Sequence, residues 1–146
     1  MCEARMLASL RQCQEHRLSD GGCIAKVDCL STPLTIIRSD SAKFRCIIGS
    51  PDSKQADFIV TEHSKMTTHV IEMKGRSYNA EEVTTQLQST VDSYFGKFDC
   101  CNRRLNPCLF AEHHNSVSLG VLRSKRVSWP HGRPVPISAR ECGKSI

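Results

Sequence analysis

The stretch THVIEMKGR, residues 68–76, places two charged side chains inside a short apolar run. Side chains of a β-strand alternate between its two faces, so Glu72 and Lys74 share one face. Ile71 and Met73 then point the other way, into the core. The stretch therefore predicts a core strand whose end presents a carboxylate next to an ammonium group.

Working outward, a second apolar run, DFIVTE at 57–62, precedes this strand, and a long helical pattern follows it at 79–98. Asn79 is a predicted N-cap, with Glu82 three residues further on as in a capping box. Helical spacing predicts an apolar stripe of Val83, Leu87, Val91 and Tyr94 or Phe95. The remaining predictions are a helix at 3–16 and strands at 33–38, 44–49, 107–112, 118–122 and 133–139, the last an edge strand because of its prolines.

The order of these elements is helix, three strands, helix and further strands. Three consecutive strands with short links, at 44–49, 57–62 and 68–74, form an antiparallel meander that the next helix can cover. We therefore expect an α/β or α+β protein with one central mixed sheet flanked by helices. A chain of 146 residues fits a single domain, with a motif core at about 44–112 and a basic C-terminal part at 113–146.

The meander brings three chemically useful side chains to one place. Asp57 begins its second strand, and Glu72 and Lys74 end its third, so antiparallel pairing should make the three converge. The two carboxylates suit Mg²⁺, with Mn²⁺ as a substitute, and the backbone carbonyl of Met73 can add a ligand. Such a site predicts phosphodiester hydrolysis, in which the metal activates water and Lys74 orients or deprotonates that water and offsets charge on the phosphate.

Three segments together resemble a known family: ADFIV at 56–60, IEMKG at 71–75, and the glutamine-bearing helix EEVTTQLQST at 81–90. They are similar to the PD-(D/E)XK nuclease superfamily, and particularly to small bacterial members of it. The resemblance implies a restriction-endonuclease-like core and a Mg²⁺-dependent endonuclease acting on DNA. The small size favours structure-selective or weakly sequence-selective cutting, and a homodimer is one expected assembly.

The resemblance also implies roles for individual residues. Asp57 matches the aspartate of the motif, while Glu72 and Lys74 match its second acid and its lysine. Gln86 matches the glutamine on the following helix, which helps to hold the water or the lysine. Gln88 is the alternative match for that glutamine.

Two positions depart from the family's pattern. The literal Pro-Asp pair ends at Asp52, which lies in a predicted turn, so Asp57 is preferred because the apolar FIV follows it directly. The family's upstream acid, on the first helix, is poorly defined here. Glu15 is its candidate and a further metal ligand, with Glu3 in reserve.

Positive charge is concentrated in the last third of the chain. The net charge of +5 comes from residues 99–146, and LRSKRV at 122–127 is the densest basic segment. A basic surface attracts polyanions such as nucleic acid, although a solvated face without a partner is also consistent with +5. The predicted nucleic-acid-binding residues are Arg76, Arg123, Lys125 and Arg126. The alternative to a nuclease is an inactive protein of the same fold that binds nucleic acid or protein.

The nine cysteines follow no metal or disulfide pattern, since their number is odd and no C-x-x-C occurs. We expect free, buried thiols; a zinc site is the alternative. Its ligands would come from Cys100, Cys101, Cys108, His113 and His114. No apolar run approaches the length of a membrane helix, and the charged start does not resemble a secretory signal, which predicts a cytoplasmic protein without membrane contact.

Overall fold

The stretch THVIEMKGR contains most of the central strand of a five-stranded sheet. The computed structural model describes residues 18–26, 34–98 and 104–146. The predicted helix at 3–16 lies outside these residues. In chain order the elements are β1 (Leu18–Asp20), β2 (Cys23–Ala25), β3 (Leu34–Arg38), α1 (Ala42–Ile47), β4 (Phe58–Glu62), β5 (Thr67–Lys74), α2 (Ala80–Lys97), β6 (Arg104–Ala111), α3 (Ser116–Ser124), β7 (Arg126–Val127), β8 (Val135–Pro136) and β9 (Ser138–Glu141).

The main sheet is mixed, with strand order β3-β4-β5-β6-β9. Strands β3, β4 and β5 form an antiparallel meander, whereas β5 pairs with β6 and β6 pairs with β9 in parallel. The parallel pairs require crossovers, and α2 and α3 lie in these two connections. Two small antiparallel sheets, β1-β2 and β7-β8, complete the described strands. The predicted α+β architecture with a central mixed sheet flanked by helices is confirmed.

Both faces of the sheet are covered, which explains why its strands read as nearly continuous apolar runs. Ile59 and Val70 belong to the cluster on the helix face, together with the apolar stripe of α2. Phe58 and Ile71, one residue away along each strand, belong to the cluster on the opposite face, against the β1-β2 hairpin. The strand period of two therefore places Glu72 on the same face as Val70, toward α2.

Helix α2 forms as its sequence predicts. The side chain of Asn79 accepts a hydrogen bond from the backbone N–H of Glu82 at 3.1 Å. The predicted stripe is buried along its whole length, with Tyr94 and Phe95 both inside the core. Although α2 has 18 residues, no helix in the described segments combines the length and apolar character needed to cross a membrane.

The strand predicted at 44–49 is wrong, because these residues belong to helix α1 and its C-terminal end. Ser41 caps the helix by accepting a hydrogen bond from the N–H of Phe44 at 3.1 Å. Phe44, Ile47 and Ile48 have the i, i+3, i+4 spacing of a helix and pack against the core on the helix face. The first strand of the meander is instead β3, which the sequence predicted only as a short strand at 33–38.

The strand predicted at 118–122 is also wrong, because it lies within helix α3. Asn115 caps α3 through hydrogen bonds from the N–H groups of Val117 and Ser118, at 2.9 and 3.3 Å. The sheet position beside β6 is occupied by β9, and the edge strand predicted at 133–139 is divided between β8 and the first two residues of β9. An apolar run as short as this one does not distinguish strand from helix by itself, and the cap decides.

The described cysteines differ from the prediction of free thiols. Cys23 and Cys142 form a disulfide across a sequence separation of 119 residues. A hydrogen bond from the Lys26 N–H to the Lys144 carbonyl, at 2.9 Å, holds the same two segments together. Cys108 is free and buried, as predicted, whereas Cys46 is free but exposed. The disulfide was not visible in sequence because its partners lie near opposite ends of the chain.

Candidate active site

Asp57 and Glu72 meet where β4 begins and β5 ends. Phe58 pairs with Ile71 across the two strands, so the preceding Asp57 lies beside Glu72. Asp57 Oδ2 accepts a hydrogen bond from the backbone N–H of Met73 at 2.7 Å. Both carboxylates are buried, with relative exposures of 6% for Asp57 and 2% for Glu72. The predicted convergence of these two acids is therefore present.

The backbone around Asp57 is fixed by hydrogen bonds from two other elements. The N–H of Ala56 donates to Thr90 Oγ1 on α2 at 2.7 Å. Ser39, just after β3, donates its hydroxyl to the Ala56 carbonyl and its N–H to the Asp57 carbonyl, at 2.5 and 2.9 Å. The position of Asp57 thus depends on α2 and β3 as well as on its own strand.

Lys74 forms an ion pair with Glu72, because both side chains leave β5 on one face. Lys74 Nζ lies 2.7 Å from Glu72 Oε1. Glu72 Oε2 is buried. Burial raises the pKa of Glu72, and the hydrogen bond and charge of Lys74, followed by a hydrogen bond from the Asp57 backbone, only partly oppose this rise. One carboxylate oxygen is thus held by the lysine, and the carboxylate also interacts with the Asp57 backbone.

Asp57 is the most strongly perturbed acid of the site. Burial raises its pKa to about 8, and the negative charge of Glu72 contributes further, against the opposing hydrogen bond from Met73. A carboxyl group of this kind binds either a proton or a cation at neutral pH. Two neighbouring buried acids with raised pKa values in a cleft are a feature of functional sites.

The ion pair with Glu72 affects the protonation of Lys74. Burial lowers the pKa of Lys74, but the hydrogen bond and charge of Glu72 outweigh this effect, and the net pKa is raised. The ammonium form suits the orientation of water and the neutralisation of charge.

The acids open into a mostly polar cleft of about 510 Å³. Gln86 on α2 lines this cleft, and its buried Oε1 makes no hydrogen bond with a described residue. Gln88 instead bonds Asp92 and both backbone groups of Ser128 outside the cleft. Of the two candidate glutamines, therefore, only Gln86 lies in the cleft with Asp57 and Glu72.

Two further acids in the cleft were missed by the sequence analysis. Asp20 and Asp40 line it, and both bond Arg38, at 2.8 and 3.0 Å. Their charges also raise the pKa of Asp57. The sequence around Asp20 signals only a turn, and the β1-β2 hairpin brings it to the site. Asp52, the literal motif aspartate, lines the cleft as well but is exposed.

The predicted nucleic-acid-binding residues do not form one cluster around the acids. Arg76 follows β5 directly, and its side chain is 92% exposed, with Nε 3.8 Å from Glu112. Lys125 pairs with Glu81 at 2.6 Å, and the Arg126 guanidinium donates to the carbonyls of Arg123 and Lys125. Glu15, the predicted upstream acid, and Glu3 lie outside the described residues.

Among the described residues, no group of three or more His, Cys, Asp or Glu side chains is arranged to hold a metal ion. Asp57 and Glu72 are a pair, and Mg²⁺ is commonly held by one or two carboxylates with water and substrate phosphate as further ligands. The N–H of Met73 faces Asp57, and its carbonyl points to the same side because antiparallel strands exchange both groups with one neighbour. The two carboxylates and the Met73 carbonyl are oxygen donors of the kind that Mg²⁺ binds, so a third acidic side chain is not required.

The predicted zinc alternative gains no support from the residues that are described. Cys108 is fully buried in the apolar cluster opposite the helices, and burial raises the pKa of its thiol to about 12. His114 bonds the Tyr78 hydroxyl and the Arg140 carbonyl with its two ring nitrogens. Cys100 and Cys101 lie outside the described residues.

The chain was also compared with models of protein families, with curated protein sequences and with solved structures. None of the three comparisons finds a match.

Proposed function

We propose that this protein is a Mg²⁺-dependent endonuclease that hydrolyses phosphodiester bonds, DNA being the expected substrate. The observation that carries the proposal is the pair of adjacent buried acids, Asp57 and Glu72, in an open polar cleft with Lys74 bonded to one of them. Neighbouring buried acids are stable as anions only if a cation joins them. A divalent ion beside the two acids, with an anionic substrate beside the ion, would balance the charges of the site.

The charge of the cleft supports a metal-dependent reaction. Its acidic lining residues outnumber its basic ones, which are Arg45, Lys54 and Lys74. A phosphate group entering the cleft alone would meet a negative field, so a cation is needed between it and the acids. A bound Mg²⁺ would supply positive charge beside the scissile phosphate.

The chain's own residues have separate tasks in the proposed reaction. Asp57 and Glu72 would hold the ion, with the Met73 carbonyl as a further oxygen ligand. The Lys74 ammonium, fixed by Glu72, would stabilise negative charge that develops on the phosphate. The free Oε1 of Gln86 would accept a hydrogen bond from the attacking water and orient it.

The fold is compatible with the restriction-endonuclease-like core that the sequence resemblance implies. A meander of three antiparallel strands leads into α2, and the next strand of the sheet, β6, returns parallel to β5. Asp57 and Glu72 lie at the end of the β4-β5 pair that α2 covers. This topology supports the proposed family. It does not indicate which substrate is bound, because one fold can serve many functions.

The test combines metal binding with cleavage on the same samples. Isothermal titration of Mg²⁺ and of Mn²⁺ into the wild type should give one binding event that Asp57→Asn abolishes. Plasmid nicking should require the ion and should be lost in Asp57→Asn and in Lys74→Ala. The matched control is Asp52→Asn, which changes an exposed acid of the same cleft and should retain both properties.

Two results would contradict the proposal. Equal metal binding by the wild type and Asp57→Asn would remove the two acids as ligands. Salt-sensitive DNA binding without cleavage under any divalent ion would instead indicate the predicted alternative, an inactive binding protein with the same fold.

A further inference from the structure

A second depression joins the acidic cleft at Lys74. This α2-α3 groove has a volume of about 660 Å³ and lies between the 77–82 segment and helix α3. Lys74 and Glu82 line both the groove and the acidic cleft. Any chain-like ligand whose phosphate reaches Lys74 therefore has a direct path into the groove.

The groove differs from the cleft in being predominantly apolar. Val117 and Val121 line it from one side of α3, with exposures of 74% and 37%. They are two of the three large apolar side chains that are exposed in the described residues; the third, Ile24, lies on the β1-β2 hairpin. Together they give this wall of the groove an exposed apolar surface that suits contact with an apolar or aromatic ligand face.

An aromatic ring is held in place within the same groove. Tyr78 lines it, and the Tyr78 hydroxyl lies 2.8 Å from His114 Nδ1. His114 Nε2 lies 2.7 Å from the Arg140 carbonyl, which only accepts, so Nε2 carries the proton and Nδ1 accepts from Tyr78. The ring is thus oriented before any ligand arrives.

The acids at the edge of the groove are already paired. Lys125 Nζ lies 2.6 Å from Glu81, and Lys54 Nζ lies 3.7 Å from Glu82. Beyond Tyr78 the groove continues into a smaller depression of about 350 Å³ that Arg76 lines. The path therefore runs from the Lys74 cation, over an apolar and aromatic surface, to the Arg76 cation.

We infer that the α2-α3 groove binds an unpaired nucleobase of the substrate strand, next to the phosphate at Lys74, so that the substrate is single-stranded or locally unpaired nucleic acid. The alternation of cation, apolar surface and cation matches the alternation of phosphate, base and phosphate along one strand. Bases stack on aromatic and apolar side chains without regard to sequence. In a duplex, each base is occupied by its pairing partner and by the bases stacked on it. No base would then be available to cover the apolar surface of the groove. The inference rests on the nuclease function proposed above for its choice of ligand.

The experiment measures binding without cleavage. Fluorescence anisotropy in Mg²⁺ compares an oligothymidylate of about 12 nucleotides with an abasic strand of equal length, both with a phosphorothioate backbone that resists cleavage. The wild type should bind the thymidylate about tenfold more tightly, since stacking contributes on that scale for one base. Tyr78→Ala and the double variant Val117→Ser/Val121→Ser should bind the two strands equally.

Controls separate a lost ligand contact from a lost fold. Tyr78→Phe keeps the ring but loses the hydrogen bond to His114, so its preference should lie between those of the wild type and Tyr78→Ala. Ile24→Ser removes the third exposed apolar side chain and should retain the full wild-type preference. Equal binding of both strands by the wild type, or an unchanged preference in both groove variants, would overturn the inference even if plasmid nicking is observed. Base-dependent binding without any nicking would remove the nuclease function and leave the groove as a base-binding site.

Discussion

The β4-β5 strand pair carries a buried acid at each of its ends, and the two ends differ in how that acid is balanced. At the turn between the strands, Glu62 pairs with His69 and Lys65, at 3.4 and 3.0 Å. His69 also bonds Asn106, which in turn bonds Ser138 on the edge strand β9. At the opposite end Glu72 faces a second acid, Asp57, and Lys74 is the only cation paired with either of them among the described residues.

The difference distinguishes a structural network from a candidate site. Around Glu62 the partners are of opposite charge or neutral and come from three neighbouring strands, so the charges are balanced by the protein itself. Around Glu72 the nearest acid has the same charge, and the surroundings open into a cleft. Both acids are buried, so burial does not distinguish the two ends. The unbalanced negative charge at the Glu72 end is the feature that points to function.

The largest expected effect concerns the hairpin that brings Asp20 to the Glu72 end. Replacing both Cys23 and Cys142 by serine should lower the free energy of unfolding by about 3–5 kcal/mol, because the disulfide closes a loop of more than a hundred residues. Urea unfolding measures this loss, and Cys46→Ser, at an exposed free thiol, is the control. Amide exchange should accelerate more at Met73 than at His69; the reverse order would contradict a role of the hairpin at the Glu72 end.

The next effect compares the two lysines. Lys74→Ala should reduce metal-dependent cleavage by about 10²–10³-fold, since a fixed charge at the reacting group is removed. Lys65→Ala breaks the corresponding ion pair with Glu62 and should leave the rate within about twofold, because that pair is largely exposed on the lysine side. Similar losses in both variants would show that the two ends do not differ in function.

A smaller effect is expected from disruption of the balanced end. His69→Ala removes the partner of Glu62 and Asn106 and should lower the free energy of unfolding by about 1–3 kcal/mol. Thermal or urea unfolding measures it, with His113→Ala at an exposed site as the control. Cleavage at a temperature well below unfolding should be unchanged, and a selective loss of cleavage would argue against a purely structural network.

The two ends should also respond to pH in opposite directions. The pKa of Asp57 is raised from 3.8 to about 8, so the folded state binds more protons and loses stability as the pH rises through that window, by at most ~1.4 kcal/mol per pH unit. The pKa of His69 is lowered from 6.5, mainly by burial, so stability is lost instead as the pH falls below about 6.5. In metal-free urea titrations, Asp57→Asn should flatten the loss of stability with rising pH between pH 3.8 and about 8. His69→Gln should flatten the loss with falling pH below about 6.5. An unchanged slope between pH 3.8 and about 8 in Asp57→Asn would show that Asp57 does not titrate in this range.

Local sequence determined most of the site. Strand alternation placed Glu72 and Lys74 on one face, and antiparallel pairing placed Asp57 beside them; both are short-range rules that hold wherever the strands form. The cap at Asn79 and the stripe of α2 were equally local. The identity of the first strand of the meander could not be determined from local sequence, because the run beginning at Phe44 fits a helix or a strand until its cap is known.

The sequence by itself thus determined the central strands, helix α2 and the convergence of two acids with a lysine, because each follows from repeats of two or 3.6 residues along the chain. Only the tertiary structure decided which strand lies beside β6, that Cys23 meets Cys142, that Asp20 joins the cleft, and that Gln86 rather than Gln88 faces it. It also decided the charge states, raising the pKa of Asp57 and keeping Lys74 protonated. These features depend on burial and on contacts between residues far apart in the chain, which no local pattern encodes.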